Sequence, residues 1–202
     1  APGHSRQLIY DDAHHSFPVE ERIHTGERIL TVTAGYDFGL GTVTESTNFN
    51  GHRTTYTYDT FGRLVAITKP LDVVPTMEYD YRLAQQVDGG KLINWVESRQ
   101  RESADGGTVD VRTFYDGLGR AVMTRAEGEE AGQVVVSNTV EFNARKQPWR
   151  KYLPYIEQGT LDYKRPTFAS PYTEHRCDAL GREVRLIQPD GTFAETRYEP
   201  LS

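Results

Sequence analysis

Along much of the chain apolar and polar residues alternate at every second position, and the clearest alternation brackets a tight turn between Thr54 and Thr68. Tyr56 and Tyr58 project from one face of an extended strand and Thr55 and Thr57 from the other, which predicts a strand half buried by its rings. Asp59 can accept a hydrogen bond from the backbone two residues on, Thr60 and Phe61 take the centre of the turn, and Gly62 supplies a positive φ that lets the chain reverse. Arg63 to Thr68 returns as a second β-rich segment closed by Lys69-Pro70.

Strands bounded by turn residues continue on both sides. Ala1 to Arg6 reads as a mobile lead-in, Gln7 to Tyr10 as a strand, Phe17-Pro18-Val19 as the start of the next, and Arg28 to Thr33 as its partner after Thr25-Gly26-Glu27. Asn48 to Gly51 carries a hairpin into the Thr54–Thr68 unit. From Thr76 the pattern predicts an antiparallel meander: 76–87, a turn at Asp88-Gly89-Gly90, 91–102, a turn at Ala104-Asp105-Gly106-Gly107, then 108–115 and 120–126. Gln133 to Phe142, with Val134-Val135-Val136 apolar on both faces, reads as one strand covered on both sides. Residues 153–171 break the rhythm. Pro154, Pro166, Pro171 and Gly159 make this stretch irregular, while Tyr155, Ile156, Leu161, Tyr163 and Phe168 are too apolar for a flexible linker. It is expected as an ordered excursion on the sheet that either covers an edge or face or carries a partner contact. Strand, turn and strand resume at Thr173, 182–188 and 192–198.

The turn grammar repeats. Tyr58-Asp59…Gly62-Arg63 returns as Tyr115-Asp116…Gly119-Arg120, and as Cys177-Asp178…Gly181-Arg182 with cysteine in the aromatic slot. Weaker copies are Tyr36-Asp37-Phe38-Gly39, Tyr79-Asp80, Phe142-Asn143-Ala144-Arg145 and Tyr198-Glu199. Tyr36 to Tyr58 spans 22 residues, Tyr58 to Tyr79 spans 21 and Cys177 to Tyr198 spans 21, the length of two strands and two turns. The longer gaps are units with insertions, which a repeat array tolerates. The copies at Asn143 and Tyr79 lack the turn glycine and are expected to form bulges or wider turns.

These residues resemble the YD repeat of the Rhs, teneurin and insecticidal toxin-complex families. Tyr10-Asp11-Asp12-Ala13-His14-His15-Ser16-Phe17-Pro18-Val19, Asp116-Gly117-Leu118-Gly119-Arg120, and Pro171-Tyr172 ahead of Cys177-Asp178-Ala179-Leu180-Gly181-Arg182 are most similar to toxin-complex B components and related large bacterial toxins. The resemblance implies an all-β fold: an antiparallel meander of YD-repeat hairpins forming a curved strip, part of a hollow β-shell around a toxic C-terminal polypeptide in a secreted bacterial toxin. Its partners would be neighbouring repeats, the enclosed polypeptide and other toxin-complex subunits. Residues 1–202 would be a single segment of such a shell. The self-cleaving protease of these families closes on an Asp-Pro-x-Gly-Leu type motif, which does not occur here, so self-cleavage is not carried over.

Composition narrows the alternatives. Hydrophobic residues make up 37% of the chain, with 12 Tyr against 8 Phe and 2 Trp, which suits a tyrosine-faced sheet better than an aliphatic globule. Both ends fall inside the repeat pattern, as expected of a slice of a longer array. The chain has no signal segment and no apolar run of membrane-spanning length. Its net charge of −6, with Lys and Arg spread evenly, speaks against nucleic acid as a partner. The one cysteine, Cys177, leaves no internal disulfide and is read as a small buried substitute for a ring.

No catalytic, cofactor or metal residues are predicted. Adjacent His14 and His15 would point to opposite faces, and neither a Gly-x-Ser-x-Gly elbow nor a phosphate-binding glycine loop occurs. The candidate functional residues are therefore those of the repeat: Tyr58, Asp59, Gly62, Arg63, Tyr115, Asp116, Gly119, Arg120, Cys177, Asp178, Gly181 and Arg182. Each arginine is expected to pair with its aspartate or to stack on a neighbouring tyrosine. The second reading is a carbohydrate- or protein-binding module that uses an aromatic sheet face.

Overall fold

The computed structural model describes residues 4–103, 106–167 and 170–199. The Ala104-Asp105 half of one expected turn, Phe168 and the first three residues of the expected lead-in lie outside them. Seventeen strands are present among the described residues, with a single 3₁₀ turn at Asp88–Gly90. The expectation of an all-β antiparallel meander is met.

Chain contacts divide the protein into two compact units, one comprising Ala1–Tyr79 and Arg99–Thr108 and the other Asp80–Ser98 and Val109–Ser202. The first contains β1 (Ser5–Tyr10), β2 (Pro18–His24), β3 (Ile29–Asp37), β4 (Thr42–Thr47), β5 (Arg53–Tyr58) and β6 (Leu64–Thr68). Each pairs antiparallel with the next. The division cuts across β7 (Met77–Val87), β8 (Lys91–Arg101) and β9 (Thr108–Tyr115). The second unit adds β10 (Ala121–Glu127), β11 (Gln133–Ser137), β12 (Val140–Phe142), β13 (Pro148–Tyr152) and β14 (Tyr155–Gln158). It ends with β15 (Tyr172–Cys177), β16 (Glu183–Ile187) and β17 (Phe193–Glu195).

Backbone hydrogen bonding follows chain order from β1 to β11 and ends on β14, while β12, β13, β15, β16 and β17 form a separate five-stranded sheet. Gln133 to Phe142 is therefore not one strand. The chain leaves β11 after Ser137, turns at Asn138 with φ 51°, and enters the other sheet as β12. Only the Val134 and Val136 face is fully buried; Val135 is half-buried. Within 153–171, β14 pairs with β11, Tyr155 opposite Val136 and Gln158 opposite Gln133. Leu161 and Tyr163 pack on the core of the second unit, which comprises Ile93, Phe114, Val122, Met123, Val134 and Val136. Alternating burial is kept in β11, where Val134 and Val136 are buried and their neighbours half-buried, whereas every residue of β2, β4 and β6 is half-buried.

Candidate functional site

The repeat motif folds into one loop whose hydrogen bonds recur nearly unchanged. The Asp59 amide donates to the Arg63 carbonyl (2.9 Å) and the Gly62 amide to the Asp59 carbonyl (3.0 Å). The carboxylate of Asp59 then gathers the interior of the turn. Its Oδ1 accepts from the amides of Phe61 and Arg63, both at 2.9 Å, and its Oδ2 accepts from Arg63 Nε at 2.7 Å. Asp116 does the same with Leu118 N (2.9 Å), Arg120 N (3.0 Å) and Arg120 Nε (2.9 Å). Asp178 does so with Leu180 N (2.9 Å), Arg182 N (3.0 Å) and Arg182 Nε (2.8 Å). Gly62, Gly119 and Gly181 hold φ of 74°, 75° and 86°, the left-handed position that any side chain would strain. An aspartate is thus needed for its two oxygens, and an arginine four residues on for a guanidinium that can reach back to the outer one.

The carboxylates titrate accordingly. Burial pushes each of these groups up, but the opposing hydrogen bonds win. For Asp59 and Asp178 the amide and guanidinium of the paired arginine, then the amide of Phe61 or Leu180, hold the carboxyl below its ordinary range. For Asp116 the Arg120 guanidinium, its amide and the Leu118 amide do so.

Three loops with the same backbone bonds lie outside the three full motif copies. At Asn143 the amides of Arg145 (2.9 Å) and Gln147 (3.1 Å) donate to Oδ1, and Asn143 Nδ2 donates to Gln147 Oε1 (3.1 Å), so an uncharged Asn–Gln pair replaces Asp–Arg. Lys146 takes the glycine position at φ 66°. The loop is therefore the standard one, with the register shift before Phe142 that the Tyr58 and Cys177 copies also show, and the expected wider turn is corrected: the side-chain amide satisfies the turn amides as a carboxylate would, and lysine tolerates the strain. Asn48 closes 48–52 by the same bonds, with Gly51 at φ 80°, and Gln188–Thr192 shares the backbone frame with Gly191 at φ 84°. Tyr79-Asp80 forms no turn. It lies inside β7, where Asp80 pairs with Arg82 at 2.8 Å. Asp37 caps a loop one residue longer, and Asp11 a wider one, accepting from the amides of His14, Ser16 and Phe17.

The arginines also reach beyond their own loops. Arg120 stacks over Phe142, the aromatic slot of the next motif, with Cζ 3.6 Å from the ring centre, and Arg182 stacks over Tyr198, again the next slot, at 4.3 Å. Pairing with the aspartate is found in all three loops, while stacking on a neighbouring tyrosine is found for Arg182; Arg120 takes a phenylalanine instead, and Arg63 lies over Phe61 of its own turn at 5.3 Å. Arg120 Nη1 donates to the Lys146 carbonyl (2.7 Å) and Arg145 Nη1 to the Ala179 carbonyl (3.2 Å), so three successive loops of the second unit are joined tip to tip. Tyrosine hydroxyls make a second joint. Tyr58 donates to the Val43 carbonyl (2.8 Å) and Tyr198 to the Glu183 carbonyl (3.1 Å), each bond reaching 15 residues back to the preceding return strand. Tyr36 likewise donates to Pro18 (3.1 Å). No fixed spacing announces the arginine joints, since Phe142 follows Arg120 by 22 residues and Tyr198 follows Arg182 by 16; the recurrence of the aromatic slot itself is the signal that points to them. Tyr115 pairs with Ala121 across the ladder as Tyr58 does with Leu64.

Cys177 is half-buried rather than buried. It lines a groove with His175 and Trp149, because β15 ends there and the slot faces a loop rather than a second layer. His175 Nδ1 lies 2.5 Å from Glu183 Oε2, and His14 packs edge-on against Phe38. Among the described residues no group of three or more His, Cys, Asp or Glu side chains is placed to hold a metal ion, and no helix is long and apolar enough to cross a membrane.

Residues 36–74, which contain the Asp37, Asn48 and Asp59 loops, match the family model of the RHS repeat. No curated protein matches the chain. Among solved structures it is similar to the crystal structure of TcdB2-TccC3, with 21% identity and a TM-score of 0.76 over 96% of this chain and 12% of that one. It is also similar to TcdB2-TccC3 without its hypervariable C-terminal region (17%, 0.72, 96% and 14%) and to TcdB2-TccC3-TEV (19%, 0.69, 96% and 14%). The chain thus spans about one eighth of the length of the structures it matches. It carries an RHS repeat and, along nearly its whole length, has the fold of the corresponding part of TcdB2-TccC3.

Proposed function

We propose that this chain is one continuous run of a YD-repeat shell in a secreted bacterial toxin, and that its work is to enclose a separate toxic polypeptide rather than to catalyse a reaction. The observation that carries this reading is a match over 96% of this chain to only 12% of the TcdB2-TccC3 chain, as a wall segment of a larger vessel would give. The local chemistry supports it. The repeated Asp, Arg and aromatic residues spend their polar groups on their own turns and on the next hairpin, an arrangement that propagates a wall. The hydroxyls of Tyr36, Tyr58 and Tyr198 are already bonded to backbone carbonyls, which weighs against a free tyrosine face for sugars.

The test is made in the parent protein. A shell wall predicts that the downstream polypeptide resists protease in the intact particle and becomes digestible when residues 109–199 are deleted. A protease-resistant payload after that deletion, or electron-microscopic density placing the segment away from any enclosing wall, would overturn the reading.

A further inference from the structure

The second unit bears a half-open cavity of about 530 Å³, within the size range of small-ligand sites. Its walls are the Asp116–Arg120 loop, β10 at Val122 and Met123, β12, Trp149, and the Tyr163–Pro166 part of the excursion. Three properties of this space go unused by the repeat architecture.

The first is charge. The protein carries a net −6, yet Lys91, Arg120, Lys146 and Arg165 line this cavity against only Asp116 and Glu141. Both acids are already matched, Asp116 by Arg120 at 2.6 Å and Glu141 by Arg165 at 3.5 Å and Arg150 at 3.7 Å. The two lysines remain as a positive surplus, with Lys91 Nζ 5.6 Å from the centre of the Tyr163 ring.

The second is a free strand edge. In its sheet β12 is hydrogen-bonded to β13 alone. The Tyr152 amide donates to the Thr139 carbonyl, and Val140 and Glu141 stand opposite Lys151 and Arg150. In an antiparallel ladder this directs the backbone groups of Thr139 and Glu141 toward β13 and leaves the N–H and C=O of Val140 on the other edge. The third is Lys146 itself, which occupies at φ 66° the position held by glycine in the three full motif loops.

From these we infer that the cavity is a binding site for an extended acidic peptide, which adds a short strand to the Val140 edge of β12 and sets its carboxylates against Lys91 and Lys146. Strand addition supplies sequence-independent hydrogen bonds, the lysines select acidic residues, and Trp149 and Tyr163 offer apolar walls to the alternate side chains. The site belongs to the second unit and stands whether or not the chain is part of a shell.

The experiment is fluorescence anisotropy with the whole chain and a labelled hexapeptide of alternating Glu and Val, beside a Lys-Val peptide of equal length. Saturable binding of the acidic peptide that weakens with salt is expected, with none for the basic one. Lys146→Gly restores the residue favoured at that φ and so folds; it and Lys91→Gln each weaken binding by about three- to fivefold. Val140→Pro, tolerated on an edge strand, abolishes binding while the melting temperature stays unchanged. Equal binding of both peptides, indifference to the paired lysine changes, or no binding at millimolar peptide would sink the proposal. Displacement by an oligouronate, with binding that survives Val140→Pro, would make this a saccharide site instead and equally overturn it.

Discussion

The hairpins of residues 4–79 and those of residues 109–199 use the same turn chemistry, yet they hold themselves together differently. In the first unit no hydrophobic residue among those described is fully buried; its buried positions are Asp11 and Thr76. Every residue of β2, β4 and β6 is half-buried, as befits a single layer of sheet with rings and aliphatics on both faces. What fastens it is directional: tyrosine hydroxyls on backbone carbonyls, Asp11 on three amides, and Asp72 joined to Thr76 and Arg101 at 2.5 and 2.6 Å. The second unit has a core, because residues 155–163 extend its sheet with β14, hydrogen-bonded to β11, and then pack Leu161 and Tyr163 against the buried cluster of Ile93, Phe114, Val122, Met123, Val134 and Val136. There even a charge is buried. Arg125, 1% exposed, is held by Glu157 Oε1 at 2.5 Å and the Thr160 carbonyl at 2.9 Å, both from that same excursion. One inserted segment thus turns a hydrogen-bonded strip into a packed body.

The contrast can be broken most directly in the core. Phe114→Ala removes a fully buried ring that meets Trp95 and Tyr163, and should destabilise the second unit by roughly 3–5 kcal/mol in urea titrations. Ile67→Ala in the half-buried β6 should lose roughly half as much, since less area leaves water. Equal losses would show that the first unit has a core after all. Next in size is Arg125→Met, which leaves Glu157 with only Lys164 at 3.7 Å and should cost about 3 kcal/mol, with part recovered when Glu157→Gln is added. Additive effects in that double-mutant cycle would mean that the pair does not hold the excursion.

Smaller effects sharpen what the two regions share. Gly62→Ala should cost about 1 kcal/mol from its φ of 74° alone, since the nearest atom to an added Cβ, on Leu40, is 3.8 Å away. Lys146→Gly, the reverse experiment, should gain roughly 0.5 kcal/mol in the same urea titrations. The subtlest contrast is in acid. Asp59, Asp116 and Asp178 have depressed carboxyl pKa values, so the stability they contribute is full above their unfolded value near 4 and is lost as pH falls through the lower folded values. The Asn143–Gln147 loop has the same bonds without a carboxylate. Amide exchange corrected for intrinsic rates should therefore rise below pH 4 at Arg63, Arg120 and Arg182 but not at Gln147. A uniform rise across all four loops would remove the carboxylates from that account.

The turns were legible in the sequence because each is settled by residues within five positions: an Asx oxygen that collects the next amides, and a residue that accepts positive φ. The strands expected from those turns and from period-two alternation at 76–87, 91–102 and 108–115 are found at 77–87, 91–101 and 108–115. The tertiary structure alone decided that 133–142 splits between two sheets, that β14 pairs with β11, and that Arg125 lies inside. The β14 pairing and the burial of Arg125 depend on partners 19 to 35 residues away, as in the 32-residue separation of Arg125 from Glu157. Alternation records that a side is sheltered, but it carries no mark of what shelters it. Local chemistry therefore determined the hairpins of this protein, and only the tertiary return of residues 155–163, with β14 on the edge of β11 and Leu161 and Tyr163 on the buried cluster, completed its core.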